Sequence, residues 1–392
     1  MSSSAPGRII CLSNVFDENY QGLRREAIPL PLGSKRRALY RCLEEAAGRE
    51  LVVLSCPPKA LRRRSVRWLE SVETTFSTHR QIFCANLDGP KVRIPCSWFF
   101  YAAHIVRHTR SGDLVLIDNY EFIYVVAAYA ARFGRKLRFF LDYEDGKHAI
   151  DHGWERLLSG AAESFGRPLL RGAMLAHPSQ ASRLPADLPR ELVPGFLHPP
   201  KPRPSERPAN APVKFLYTGS LDTTRGVDLM LGALPLLPPA GWELHITGAG
   251  PLQPQVVETA AAPIWGGRVQ FHGVLPNAEY EDLMASCDVA LNCQRTSDPI
   301  SDVTYPSKTF TYLSAGLRLI SSTASSVCEV LGSACCYYPE ESSTSLATVM
   351  AQFIREGLPP TPEAALREVQ TRYSPEGTTN RLKALITQIE VS

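Results

Sequence analysis

Short runs of consecutive apolar residues alternate along this chain with longer stretches in which apolar positions recur at helical spacing. Arg8–Ser13, Leu51–Ser55, Ile82–Leu87, Leu114–Asp118 and Leu137–Asp142 read as strands, with another near 172–177. Between them Lys35–Ala47 and the stretches near 96–110, 120–133 and 154–165 read as helices, the first with Ser34 as a candidate cap. Strands that are apolar throughout, rather than at alternate positions, belong to a parallel sheet covered on both faces.

The same alternation starts again at Val213–Tyr217. It continues through Glu243–Thr247, Val269–Gly273, Val289–Cys293, Arg318–Ser321 and Ala334–Tyr337, with a helix over Gly226–Leu237 and a helical segment at 363–390 interrupted near Ser374-Pro375. Gly195–Pro212 holds prolines at 199, 200, 202, 204, 208 and 212, a composition that gives an extended, semi-rigid connector. The expected organisation is an α/β chain with two Rossmann-like, doubly wound parallel-sheet domains: residues 1–195, a linker at 196–212, a second domain at 213–375 and a closing helix at 376–392. A length of 392 residues suits two domains better than one core.

Composition adds three things. The chain is 44% hydrophobic and 21% charged, as in soluble globular proteins. Its net charge of +3 is unevenly divided, because residues 1–195 hold 28 Lys and Arg against 20 Asp and Glu. The first half therefore suits an anionic partner. The ten cysteines are scattered, with Cys11, Cys84 and Cys293 in apolar runs, and the adjacent Cys335-Cys336 does not have zinc-site spacing. No apolar run is long enough to cross a bilayer and MSSSAPGR lacks the apolar core of a signal peptide, so a cytoplasmic setting is expected.

In doubly wound sheets ligands lie beyond the carboxyl ends of the strands. In the second domain those ends lead into Gly219-Ser220-Leu-Asp-Thr-Thr-Arg225-Gly226, Gly248-Ala-Gly250-Pro251, His272-Gly273-Val-Leu275-Pro276, and the polar loop Gln294–Thr304. That loop feeds Tyr305-Pro-Ser-Lys-Thr-Phe-Thr-Tyr-Leu-Ser-Ala-Gly316, read as a helix with Pro306 at its first position and Gly316 as its left-handed stop. Arg225, Lys308 and the amides at the helix start form a candidate diphosphate cradle. Each item also has an ordinary reading: a tight turn for the GxG, a strand-end histidine at 272, a solvated charge at 225.

Residues 213–322 resemble the C-terminal domain of glycosyltransferase family 4, a GT-B family using nucleotide sugars. The resemblance rests on Tyr217-Thr-Gly-Ser-Leu with Arg225-Gly226, Ile246-Thr-Gly-Ala-Gly-Pro251, Val269-Gln-Phe-His-Gly-Val-Leu-Pro276, Leu283-Met-Ala-Ser-Cys-Asp-Val289 and Pro306–Gly316. It implies a donor held mainly by the C-terminal domain, an acceptor on the N-terminal one, retention of configuration, and no tightly bound cofactor or metal. The co-substrate would be a UDP- or GDP-sugar, the acceptor a glycan, a lipid-linked glycan or a small molecule, in polysaccharide biosynthesis. Carried over, Lys308 and Arg225 hold the diphosphate, Ser307–Thr309 add amide donors, and Gly219, Ser220, Gly248 and Gly250 admit the nucleotide. His272 and Leu275 lie near the base, and the closing helix crosses back to the first domain.

The chain departs from the family at three places. Ser220 stands where many members have Arg, and the family's two glutamates, seven residues apart, fall on Val303 and Thr311. Thr311 can still bond a ribose hydroxyl, and Asp302 or Asp298 can stand in for the first carboxylate. In the first domain Asp142-Tyr-Glu144-Asp145 ends a strand and supplies candidate catalytic carboxylates, with helix capping as the alternative; Asp118-Asn-Tyr-Glu121 is a lesser case of the same kind. Asn19, Tyr20, Gly22 and Gly33 are expected on the acceptor side. Arg62–Arg67 with Trp68 reads either as a solvated face or as a contact with an anionic membrane at the inner face; no nucleic-acid-reading motif accompanies it. A catalytically silent GT-B binding protein and an epimerase or phosphorylase on the same fold are the alternative functions.

Overall fold

The structure, a computed structural model, describes residues 7–13, 33–55, 67–76, 79–88, 93–144, 153–200 and 211–391. Two compact units divide the chain, unit 1 formed by Met1–Pro194 with Pro375–Ser392 and unit 2 by Gly195–Ser374.

Unit 1 contains β1 (Ile9–Leu12), β2 (Leu51–Ser55), β3 (Arg67–Leu69), β4 (Val72–Thr75), β5 (Arg80–Phe83), β6 (Asn86–Asp88), β7 (Leu114–Asp118), β8 (Arg138–Tyr143), β9 (Leu170–Leu175) and β10 (Arg190–Leu192). Eight of them form one sheet in the order β10-β9-β8-β7-β1-β2-β5-β4, parallel except where β4 runs against β5. Helices α1 (Ser34–Ala47), α2 (Arg93–His108), α3 (Phe122–Arg132) and α4 (Gly153–Gly166) accompany it. Ile10, Val52, Val115 and Ile117 meet Tyr101 and Ile105 of α2 and Tyr124, Ala127 and Ala131 of α3 in one core. Hydrophobic burial on both sheet faces is what the continuous apolar strands foretold.

Two local expectations differ. Helix α1 begins one residue earlier, at Ser34, with Gly33 in the cap position and no side-chain cap. The run 82–87 is not one strand. It breaks after Phe83, and Asn86 turns its side chain back to accept the Leu87 N–H at 2.8 Å, a local bond that competes with the ladder. Asn86–Asp88 then pairs antiparallel with β3, which places the end of the basic run in a small separate sheet.

Unit 2 contains β11 (Val213–Ser220), β12 (Trp242–Ala249), β13 (Val269–Phe271), β14 (Val289–Asn292), β15 (Arg318–Ser322) and β16 (Cys336–Tyr338). Its helices are α5 (Val227–Ala233), α6 (Gln253–Ala261), α7 (Asn277–Ser286), α8 (Lys308–Ser314), α9 (Ser325–Leu331), α10 (Ser343–Glu356) and α11 (Glu363–Tyr373). The order β13-β12-β11-β14-β15-β16 is that of a doubly wound sheet, and its strand order reverses between β11 and β14. Strands β11 and β12 run on past their expected ends, in register through Gly219↔Gly248 and Ser220↔Ala249. Glycine makes that possible. Gly248 has φ +141, and a Cβ there would lie 1.8 Å from the Gly219 carbonyl oxygen.

The chain breaks between α11 and α12 (Pro375–Val391) because the residue before proline is driven out of helical geometry, and Ser374 is extended. Helix α12 belongs to unit 1. It buries Leu382, Leu385, Ile386 and Ile389, the last filling the space that Gly172 leaves on β9. Residues 201–210 of the proline-rich connector lie outside the described residues.

Candidate nucleotide site of unit 2

The crevice where the strand order of unit 2 reverses holds a cavity of about 220 Å³. Tyr217, Thr218, Gly219 and Ser220 line it from β11, Leu291, Asn292 and Gln294 from the end of β14, and Tyr305–Lys308 and Tyr312 from α8 and its approach, with Arg225 between. Among the described lining residues two are cations, and none is a carboxylate. A shallower depression of about 360 Å³ shares Thr218, Gly219, Ser220 and Lys308 and extends to Gly248, Leu275 and Tyr280. This is where a doubly wound sheet binds phosphate-bearing ligands.

Each cation is placed by identifiable bonds. Asp222 folds the loop after β11: its carboxylate accepts from Ser220 Oγ at 2.5 Å, Thr224 Oγ1 at 2.7 Å and the Arg225 N–H at 2.8 Å. Against the cost of burial, these bonds lower the pKa of Asp222. Gly226 lets the loop press onto β14, since a Cβ there would meet the Cys293 carbonyl oxygen at 1.9 Å. The Arg225 guanidinium then donates to Gln294 Oε1 at 2.6 Å. Lys308 is exposed as a residue, but its ammonium lies against the bare backbone of Gly219. Desolvation there, and then the neighbouring Arg225 charge, lower its pKa to about 8. Bringing two cations together costs free energy in the empty site, and an anion between them returns it.

The floor is a hydroxyl network. Thr218 Oγ1 lies 2.9 Å from the Tyr312 hydroxyl and 3.2 Å from that of Tyr280. Asn292 Nδ2 donates to Ser321 Oγ at 2.8 Å, fixing an amide at the end of β14. Sequence reasoning did not single out Asn292, Tyr280 or Tyr312. Their signal is position, since each lies at or faces the carboxyl end of a strand beside the reversal.

Several expected donor residues stand elsewhere. The Ser307 and Thr309 amides are engaged by the Tyr305 and Pro306 carbonyls, at 2.8 and 3.0 Å, so the tight turn into α8 uses the groups that were to cradle phosphate. Helix α8 starts at Lys308 rather than Pro306, while Gly316, at φ +76, stops it as expected. Thr309 is fully buried, its hydroxyl donating to the Pro306 carbonyl. Thr311 and Asp302 are exposed and do not line the cavity, and Val303 is buried at 6% exposure. A Cβ at Gly250 would strike the Leu221 backbone at 2.5 Å, so that glycine serves strand packing rather than ligand approach. His272 stacks on His245, its Nε2 3.1 Å from His245 Nδ1, and His245 in turn reaches Glu243 at 3.3 Å. Desolvation lowers the pKa of His272.

Unit 1 has its own reversal, between β1 and β7, and fills it differently. Ser13 Oγ donates to Asp118 at 2.6 Å, Arg36 from α1 bridges Asp118 at 2.6 Å, and Lys35 pairs with Glu144 at 2.6 Å. Asp142, 3% exposed, has Arg36 at 3.9 Å, and its Oδ2 makes no hydrogen bond among the described residues. Burial, and then the Glu144 charge, raise the pKa of Asp142 to about 8. Glu144 is held low by Lys35 and Arg36 despite its burial. Gly33 is exposed at the start of α1. Asn19, Tyr20, Gly22, Asp145 and residues 62–66 of the basic run lie outside the described residues. Trp68 is 48% exposed and packs edge-on against Phe100 at 5.3 Å. Among the described residues no helix is long and apolar enough to cross a membrane, and no group of three or more His, Cys, Asp or Glu is arranged to hold a metal ion.

Residues 212–356 match the family Glycosyl transferases group 1. A sequence search of curated proteins finds no match. Among solved structures, the Anabaena protein HepE in complex with UDP is 13% identical, with a TM-score of 0.65 over 97% of this chain and 99% of that one. Sucrose-phosphate synthase from Thermosynechococcus elongatus is 13% identical, with a TM-score of 0.64 over 98% and 99%. The catalytic domain of starch synthase IV from Arabidopsis thaliana, bound to ADP and acarbose, is 10% identical, with a TM-score of 0.65 over 99% and 100%. Likeness at this level of identity speaks for the fold, which is GT-B, and the match to the glycosyl transferases group 1 model covers residues 212–356, within unit 2.

Proposed function

We propose that this protein is a glycosyltransferase that takes its sugar from a nucleoside diphosphate sugar bound by unit 2. The observation that carries the reading is the Arg225–Lys308 pair at the β11/β14 reversal, facing a cavity with no carboxylate among its described lining residues. The two cations suit a diphosphate twice over. They bind it in the donor, and they stabilise the charge that builds on it as the bond from sugar to phosphate oxygen breaks and that oxygen takes the electron pair. The acceptor's hydroxyl oxygen forms the new glycosidic bond and gives up its proton. That HepE is found in complex with UDP, and starch synthase IV bound to ADP, supports a nucleotide ligand for this fold. The Asp142–Glu144 cluster of unit 1 is our candidate for the acceptor-facing carboxylates, with retention of configuration the expected outcome. A UDP- or GDP-sugar donor, a glycan or lipid-linked acceptor, and a cytoplasmic site of action with peripheral membrane contact near Trp68 complete the reading.

A second reading, binding without turnover, is favoured by the burial of Val303 and by the outward positions of Asp302 and Thr311. Incubation with UDP-, GDP- and ADP-sugars, assayed for free nucleoside diphosphate with and without acceptor sugars, separates the two. Release of diphosphate supports the transferase; nucleotide binding without release supports the second reading. A rearranged sugar on an intact nucleotide would instead indicate an epimerase.

A further inference from the structure

Arg225, in the loop after β11, and Arg295, in the loop after β14, both bond at the end of β14, and they are treated in opposite ways. Arg295 is tied by carboxylates: it pairs with Asp228 and, at 2.8 Å, with Glu341. Glu341 also accepts from Thr296 Oγ1, Ser297 N–H and Ser297 Oγ at 2.7–2.9 Å, so this knot fixes the loop after β14 to the end of β16. Arg295 reaches back as well, its Nε to the Thr223 carbonyl at 3.0 Å and its N–H to that of Thr224 at 2.9 Å. Arg225 instead meets a neutral amide, Gln294 Oε1 at 2.6 Å.

Gln294 is 1% exposed and bonded at both ends of its side-chain amide. Its Nε2 donates to Ser301 Oγ at 2.7 Å, Ser301 Oγ donates to the Arg295 carbonyl at 2.6 Å, and the Gln294 carbonyl accepts from Ser322 Oγ at 2.7 Å. A buried amide satisfied on both ends has one orientation, because turning it would leave donors facing donors. We propose that Gln294 is a positioning residue that aims the Arg225 guanidinium into the cavity of unit 2 and, being neutral, leaves its charge available to the phosphates of the ligand. This rests on the nucleotide reading above. A glutamate at the same place would keep nearly the same shape and cancel that charge.

Gln294→Glu makes the distinction. Among the described residues, Lys308 shares its crevice with Arg225 and with the phenols of Tyr217, Tyr280, Tyr305 and Tyr312, which burial raises and keeps neutral near pH 8. Cancelling the Arg225 charge therefore moves the alkaline limit of binding upward, a change that simple loss of structure does not produce. The experiment measures UDP, GDP and ADP affinity by calorimetry from pH 6.5 to 9.5, with melting curves in parallel. The expected result is a Gln294→Glu protein that melts no lower than wild type, binds the preferred nucleotide about tenfold or more weakly at pH 7, and loses it at higher pH. Gln294→Met, which keeps the volume and the Arg225 charge but removes the acceptor, is expected to weaken binding several-fold; it decides the matter if the glutamate protein does not fold. Wild-type affinity in the variants overturns the role of Gln294 and leaves the nucleotide site standing. Failure of the wild type to bind any of the three nucleotides overturns both.

Discussion

The ammonium of Lys308 lies so close to the α-carbon of Gly219 that a Cβ at 219 would come within 2.9 Å of Nζ. The lysine occupies the space that the glycine leaves, and it does so beside Arg225 in a partly desolvated crevice. Lys308→Ala is expected to weaken binding of UDP or the preferred nucleotide by about 10- to 100-fold, the range of a charge-assisted bond. Titration calorimetry checks it, with equal melting temperatures as the control for folding.

The same geometry makes affinity depend on pH. Lys308 loses its proton near pH 8, against an ordinary value of 10.5. Affinity for a nucleoside diphosphate is expected to fall as pH rises through that region, and the fall is expected to vanish in Lys308→Ala. For stability the sign is opposite. Between about 8 and 10.5 the unfolded chain holds a proton that the folded one does not, so stability rises with pH across this window. Replacing Lys308 by Met therefore raises the melting temperature of the ligand-free protein at pH 7 more than at pH 10.

Asp142 gives a second window. Its folded value of about 8 lies above the ordinary 3.8, so between those limits the folded protein binds the extra proton. Its contribution to stability is complete below the lower value and is lost as pH rises toward the upper one. Asp142→Asn removes this slope, and the melting temperature of the variant relative to wild type should climb from pH 5 to pH 8. Parallel slopes for the two proteins would show that Asp142 is ionised when folded.

The strand ends around the cavity tolerate little. Gly248→Ala puts a methyl group against the Gly219 carbonyl at a backbone angle that L-residues avoid. Overpacking and backbone strain together predict a loss of roughly 3 kcal/mol or more by chemical denaturation.

Val303 and Thr311 occupy the places where the resemblance expects glutamates, and they respond differently to restoration. Val303→Glu buries a carboxylate at a 6% exposed site and is expected to cost about 3 kcal/mol or more. Thr311→Glu, on an exposed face, should change stability by less than about 0.5 kcal/mol. Denaturant titration of the two variants checks both.

The α/β class was legible because periodicity reports burial directly, and the strands Leu51–Ser55 and Leu114–Asp118 fall where their apolar runs lie. Arg225 and Lys308 were legible because strand-end loops are where doubly wound sheets bind ligands. What failed was the use of backbone groups. Whether the amides of Ser307 and Thr309 face a ligand or their own turn depends on angles that no residue type specifies, and the turn took them. The glycines of Gly248-Ala-Gly250 were legible as special positions, yet an absent side chain does not say which neighbour fills the space. At 250 it is the Leu221 backbone. Gln294 stayed hidden inside a polar loop because its role comes from burial, which polar composition conceals.

The reversal between β1 and β7 in unit 1 is occupied by the chain's own salt, with Arg36 set against Asp118 and Lys35 against Glu144. A mononucleotide arriving there would find Lys35 and Arg36 already answered by internal counter-ions. Among the described residues, the crevice of unit 2 is thus the reversal that brings cations together without a carboxylate in its lining, and saturation with UDP or its equivalent is expected at one molecule per polypeptide.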